Sequence, residues 1–169
     1  MKIALEIIAV VVLAGCASAP SPYIAEQGRD IKALSADETA SLLAGKGMGF
    51  AKAAELNGYP GPAHVLELAQ GLQLTDKQRA DTQSLFNAMR AKAMALGREL
   101  VDEERRLDRL FASKAADPAS VGASLARIGE LQAKVRASHL DAHLAQVRIL
   151  TPEQTARYVE LRGYSGQHH

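Results

Sequence analysis

Residues 75–112 have the sequence TDKQRADTQSLFNAMRAKAMALGRELVDEERRLDRLFA, and this stretch decides the fold. Apolar side chains recur along it at alternating steps of three and four residues, which is the repeat of one face of an α-helix. The stripe consists of Phe86, Met89, Ala93, Leu96, Leu100, Leu107 and Leu110. Only Glu103 interrupts it, and we expect its carboxylate to be exposed or to snorkel to solvent where the helix bends. The pattern predicts one helix over residues 75–112, about 57 Å long at ~1.5 Å per residue.

A second long helix is predicted directly after the first. Residues 115–117 form a loop, in which Asp117 is suited to cap a helix and Pro118 to occupy its first turn. From there to about Arg148, one face carries Val121, Leu125, Ile128, Leu131, Val135 and Ala142. Because the loop is short, the two helices should form an antiparallel hairpin. No strand-like run of β-branched residues follows residue 16, so the expected fold is all-α.

Short helices should flank the hairpin on its N-terminal side. Ser35 and Glu38 form a capping-box pattern, which predicts a helix start at residue 35. Glycines at positions 45, 47 and 49 interrupt this helix, which should resume over residues 50–56. The glycine pattern lacks a preceding strand, so phosphate binding is not expected. The turn at residues 57–62 ends with Pro62, which should open a short helix carrying His64.

The N-terminus has the pattern of an export signal. Leu13-Ala14-Gly15-Cys16 closes a short apolar run, and Cys16 is the only cysteine of the chain. Glu6 interrupts this run, which is shorter than the roughly 20 residues of a membrane-spanning helix. Small residues before a lone cysteine are typical of a lipoprotein signal peptide, so we expect loss of residues 1–15 and lipidation of Cys16. An ordinary signal peptide with an incidental cysteine is the alternative.

The export signal leads to predictions of where the protein is located and how the chain is divided into domains. By resemblance to bacterial lipoproteins, Ala17 after the cysteine, where Asp would favour retention at the inner membrane, indicates a periplasmic protein anchored to the outer membrane. Residues 16–34 are rich in Pro, Ser and Ala at their start and are expected to be a flexible tether. Residues 35–164 should form the helical domain, and residues 165–169 a mobile tail.

A five-residue motif occurs twice. Leu74-Thr75-Asp76-Lys77-Gln78 recurs as Leu150-Thr151-Pro152-Glu153-Gln154, with 76 positions from Leu74 to Leu150. In each copy the threonine can cap a helix, and the glutamine can reach back to the backbone N–H of the capping residue. Each copy ends one helix and starts the next.

An exported, helical, cysteine-poor chain with two such motifs resembles the LTXXQ family of periplasmic proteins. This family includes Spy and CpxP, the zinc-resistance-associated proteins and the periplasmic heavy-metal sensors, and the resemblance spans roughly residues 45–164. It implies a thin, bent homodimer of long helices without catalytic activity. It also implies that the chain either holds unfolded client proteins without ATP or senses envelope stress or metal. The lipobox is a departure, because Spy and CpxP are soluble in the periplasm.

Two histidines form the clearest candidate site. His139 and His143 are four residues apart on the second long helix, so both imidazoles lie on one face and can share a metal ion. Further ligands would have to come from His64, Glu67 or a partner subunit. The hairpin should place the pair opposite residues 87–90, where a methionine thioether suits a soft metal and Arg90 opposes any cation. Alternatively, both histidines are partly buried and hydrogen-bonded to backbone or water. The terminal residues 168–169 are also histidines and can bind metal adventitiously.

The amino-acid composition argues against some classes of function. The net charge of +1 gives no reason to expect nucleic acid as a partner, and 4% aromatic residues without tryptophan offer little for base stacking. No nucleophile and base can be paired, so we expect no enzyme activity. The first hypothesis is a membrane-tethered chaperone-like protein that holds envelope proteins or unfolded clients. The alternatives are a heavy-metal sensor or resistance protein and a structural scaffold lipoprotein. No cofactor is required, although Zn, Ni or Cu is a possible ligand.

Overall fold

The structure, a computed structural model, describes residues 20–164, and all regular secondary structure in that range is helical. A 3-10 helix at Ile24–Glu26 precedes six α-helices: α1 Ala36–Leu43, α2 Lys52–Glu55, α3 Pro62–Glu67, α4 Asp76–Ala112, α5 Pro118–Ile149 and α6 Pro152–Leu161. Helices α4 and α5 pack against each other as the hairpin, which confirms the all-α fold with short flanking helices. The predicted signal peptide, Cys16 and the predicted tail lie outside the described residues.

Local capping explains why the long helices were predictable. Asp117 accepts hydrogen bonds from the backbone N–H of Ala119 (2.8 Å) and Ser120 (3.1 Å) at the start of α5. Both predicted boundaries of α4 and the start of α5 agree with the structure to within a residue. These interactions are local in sequence, so they act before any tertiary contact forms.

The first core cluster joins the hairpin to α1. Its buried members are Ile31, Leu42, Leu100, Val101, Ile128, Leu131 and Val135. The predicted face of α5 was wrong at Leu125, which is 54% exposed. The buried face of α5 instead contains Ser124 and Ile128. Leu125 directly follows Ser124, and because successive residues of an α-helix are about 100° apart around its axis, Leu125 lies outside this face.

A glycine and a glutamate occupy core positions of α4. A Cβ atom on Gly97 would lie 2.8 Å from the carbonyl carbon of Leu42, so only glycine lets α1 approach this closely. Glu104 is buried, and this burial raises the pKa of its carboxyl group. The neighbouring Glu103, which the sequence singled out, pairs with Arg106 at 3.2 Å.

The segment before α1 packs on the hairpin. Ile31 is only 2% exposed, and the backbone N–H of Lys32 donates to Asp108 at 3.2 Å. Asp30 also pairs with Arg105 at 3.2 Å. The packed body therefore begins near residue 30 rather than at residue 35, and residues 30–34 of the expected tether belong to it. One isoleucine in a polar segment carries no periodic pattern, so the sequence did not indicate this contact.

The two repeated motifs meet at the open end of the hairpin. Leu74 and Leu150 are both buried in a second core cluster, with Val65, Ala69, Leu72 and Tyr158. The amide nitrogen of Gln78 donates to the side-chain oxygen of Gln154 at 2.7 Å, and the amide nitrogen of Gln154 donates to the side-chain oxygen of Gln78 at 3.1 Å. Each glutamine also caps its own helix, so the starts of α4 and α6 are held side by side.

This amide pair predicts an energetic coupling between the motifs. Gln78→Ala and Gln154→Ala should each lower the free energy of unfolding by roughly 1–3 kcal/mol, because each leaves polar groups unpaired. A double-mutant cycle measured by urea denaturation should give a coupling of about 1 kcal/mol between them. Gln83→Ala, which removes only an exposed bond to Asn87 on the same helix, is the control and should change little. Additive effects of the two motif substitutions would contradict a direct interaction.

Candidate functional site

A cavity of about 560 Å³ lies between the hairpin and the segment that holds α1 to α3. Helix α5 contributes His139, Ala142 and His143, and α4 contributes Phe86, Met89 and Arg90. The remaining wall comes from the glycine-interrupted loop after α1 and from the start of α3, which includes His64. Three of the four residues predicted as metal ligands therefore line one cavity, and the predicted position opposite Met89 and Arg90 is confirmed.

His143 is held in one tautomer. Its Nδ1 atom lies 2.8 Å from the carbonyl oxygen of Tyr59, and because a carbonyl only accepts, Nδ1 carries the proton. In the neutral form of the ring, Nε2 then carries a lone pair that a metal ion can use. A Cβ atom on Gly61 would lie 3.0 Å from Nε2, so the glycine gives the ring its space. A backbone carbonyl that orients the second nitrogen is the usual support of a metal-binding histidine.

His139 is more deeply buried, with 4% of its surface exposed. Its ring stacks on Phe50 with 6.3 Å between the centroids. Within residues 20–164 its Nε2 atom has no hydrogen-bond partner. Burial lowers the pKa of His139, and the neighbouring His143 lowers it further, so the ring is neutral at pH 7. A neutral ring with an unpartnered nitrogen can accept a metal ion.

Glu55 is a site residue that the sequence did not indicate. Its Oε1 atom accepts hydrogen bonds from the hydroxyls of Tyr158 (2.5 Å) and Tyr164 (3.0 Å) and from Nε of Arg162 (3.2 Å). His64 Nδ1 lies 3.2 Å from the same oxygen. No residue in the described part of the chain is bonded to Oε2, which lies 3.9 Å from His143 Nδ1.

The charge of Glu55 depends on these donors. Burial raises the pKa of its carboxyl group, but the bond from Tyr158, the charge of His64, the bond from Tyr164 and the charge of Arg162 together bring the pKa below its usual value. In turn, burial and the Glu55 carboxylate raise the pKa of Tyr158. Glu55 is therefore ionised at pH 7 and connects α2 to the C-terminal helix.

The fourth predicted ligand lies elsewhere. Glu67 is exposed at the end of α3 and does not line the cavity. In the range 20–164, no three side chains of the His, Cys, Asp and Glu types come close enough together to hold a metal ion in this arrangement. A metal ion would therefore bind to the histidine pair with ligands of another type or after a side-chain movement.

Within residues 20–164, no helix has the length and hydropathy to span a membrane.

Comparison with models of protein families identifies the family to which the chain belongs. A family model described as heavy-metal resistance matches residues 40–157, which include the hairpin, both repeated motifs and the three cavity histidines. The chain belongs to this family, which is the Spy- and CpxP-like LTXXQ family. Proteins of the family are typically periplasmic. No curated protein and no solved structure matches the chain.

The Glu55 cluster predicts a pH-dependent stability contribution. Tyr158→Phe removes the shortest bond to the carboxylate and should lower the free energy of unfolding by about 1–3 kcal/mol at pH 7. A carboxylate with a lowered pKa stabilises the fold above its unfolded pKa of about 4.5, and that contribution is lost as the pH falls through the lower folded pKa. The difference between the parent and the variant should therefore narrow towards pH 3. Thermal denaturation against pH measures this, with the exposed Tyr23→Phe as control; a pH-independent difference would contradict it.

Proposed function

We propose that this chain is a periplasmic metal-binding protein that serves heavy-metal resistance by sensing or sequestering a transition-metal ion. The observation that carries the proposal is the pair of buried histidines on consecutive turns of α5. His139 offers a buried nitrogen with no partner in the described part of the chain, and His143 is oriented by the Tyr59 carbonyl. Buried polar atoms are normally hydrogen-bonded, so a buried imidazole nitrogen without a partner, in a residue that lines the cavity, suggests a ligand.

Two further residues can complete the coordination shell. His64 lines the same cavity, and its Nε2 atom is not used in the contact with Glu55. Glu55 Oε2 is also without a partner in the described range and lies 3.9 Å from Nδ1 of His143; because Glu55 does not line the cavity, its carboxylate would reach an ion only after a side-chain movement. Imidazole and carboxylate ligands suit Zn, Ni and Cu. The protein contributes binding and orientation, and we propose no catalytic role.

The location of this site follows from the expected anchor. We propose that Cys16 is lipidated and holds the protein to the outer membrane. Because the packed body starts near residue 30, fewer residues separate it from Cys16 than the sequence suggested. The cavity would then sample metal ions close to the membrane surface.

The metal site is tested by replacing the histidine pair. All comparisons use the full chain with Cys16→Ser, His168→Ala and His169→Ala, so that no thiol or tail histidine binds metal. His139→Ala with His143→Ala should weaken the binding of Zn²⁺, Ni²⁺ or Cu²⁺ by about 100-fold or more, measured by titration calorimetry. Glu67→Ala is the matched control, because Glu67 lies outside the cavity, and its affinity should equal that of the parent. Unchanged affinity in the double variant would refute the site, provided circular dichroism shows native helicity.

A second candidate function is the holding of unfolded or partner proteins. It is favoured by an apolar groove beside α5 and α6, which is lined by Val147, Leu150, Pro152, Thr155, Ala156 and Val159. Leu144, one turn before this groove on α5, is 48% exposed. Exposed apolar surface of this kind binds other proteins or a second copy of the chain. A homodimer, as the family resemblance implies, and a scaffold role would use the same kind of surface.

Aggregation assays test this second candidate. At severalfold excess and without ATP, the chain should suppress the aggregation of a chemically denatured client, measured by light scattering. Leu144→Ser with Val159→Ser should weaken the suppression, whereas Leu56→Ser, at an exposed leucine on α2's C-terminal side, should not. No suppression by the parent chain would exclude a holding activity.

A further inference from the structure

All three methionines in the described residues lie at or next to the histidine cavity. The chain has four methionines, including Met1. Met48, in the loop after α1, and Met89, on α4, both line the cavity. Met94 packs behind the wall, where a Cβ atom on Gly45 would lie 2.9 Å from its Cγ. The cavity therefore presents two thioethers together with the imidazoles of His139 and His143.

Met48 is held at the cavity by an unusual backbone. Its φ angle is +45°, a left-handed conformation that non-glycine residues rarely adopt. The residue is also 42% exposed, so burial in the core does not explain why a large apolar side chain is placed there. Local strain that packing does not require is a feature of ligand-binding sites. The Gly47-Met48-Gly49 loop thus places Met48 at the cavity.

The charges around the cavity disfavour a highly charged ion. Lys46, Lys52 and Arg90 are among the lining residues, whereas no carboxylate is. Glu55 is not among the lining residues, and its Oε1 atom already accepts hydrogen bonds from α6 and the segment after it. A divalent cation would meet this positive field with twice the charge of a monovalent one. Thioethers and neutral imidazoles are uncharged, and soft thioether ligands select Cu(I).

We infer that the cavity binds a soft monovalent cation, of the class of Cu(I) and Ag(I), through the imidazoles of His139 and His143 and the thioethers of Met48 and Met89. The inference rests on the proposed metal site and names the ion that this site prefers. The binding involves no redox or covalent step. A small side-chain movement brings flexible methionines onto an ion, because their unbranched side chains have several accessible rotamers.

Silver provides a redox-stable probe. The full chain with Cys16→Ser, His168→Ala and His169→Ala is titrated with Ag⁺ in chloride-free buffer and separately with Zn²⁺, and binding is measured by calorimetry. Met48→Leu with Met89→Leu preserves side-chain volume and should weaken Ag⁺ binding by about tenfold or more. Zn²⁺ binding by the same variant should not change, which also shows that the cavity is still folded. Met94→Leu is the matched control, since Met94 does not line the cavity, and it should bind both ions like the parent.

The outcomes separate this inference from the proposed function. Unchanged Ag⁺ affinity in the double methionine variant, or an equal loss of Ag⁺ and Zn²⁺ affinity, would overturn the role of the thioethers. Binding of Zn²⁺ without binding of Ag⁺ by the parent would overturn the ion preference and leave the proposed metal function standing. If the parent binds neither ion, both the inference and the proposed function are wrong.

Discussion

The reciprocal hydrogen bonds between Gln78 and Gln154 hold together the parts on which the cavity depends. They join the start of α4 to the start of α6, although 76 residues separate the two glutamines. With α6 placed beside α3, the hydroxyl of Tyr158 reaches Glu55, and it also accepts the backbone N–H of Gly61 at 3.5 Å. Gly61 in turn leaves space for the ring of His143, because a Cβ atom there would lie 3.0 Å from Nε2. A structural motif at one end of the hairpin thereby positions a ligand of the candidate metal site.

The cavity combines several local conflicts, although not all of those in the described residues. Most of the described core consists of aliphatic side chains, but side-chain oxygens of Ser124 and Gln146 are also buried without a partner in that range. At the cavity, Nε2 of His139 has no partner in the described range and Met48 has a positive φ angle, and Oε2 of Glu55, which does not line the cavity, is also unpartnered. Such local conflicts are expected where function opposes stability. Membership of the heavy-metal resistance family is consistent with metal binding in this region.

The proposed site also limits what the protein does with an ion. Its ligands are side chains of α5, α4 and the loop after α1, so binding would draw a short flexible segment towards the rigid hairpin. The C-terminal helix is connected to the same region through Glu55, His64 and Tyr158. We propose that occupancy of the cavity is coupled in this way to the position of the C-terminal helix.

Sequence by itself determined the all-α class, the bounds of α4 and the start of α5, because helix periodicity and caps such as Thr75 and Asp117 act within a few residues. It also found His139 and His143, whose i, i+4 spacing is a local property of one helix. Only the tertiary structure decided that Glu55, rather than Glu67, lies beside them, since the partners of Glu55 on and after α6 are more than 100 residues away. It likewise decided that Ile31 and Gly97 are core positions and that Leu125 is not. Which side of a helix is covered depends on where other segments cross it, and no local pattern carries that information.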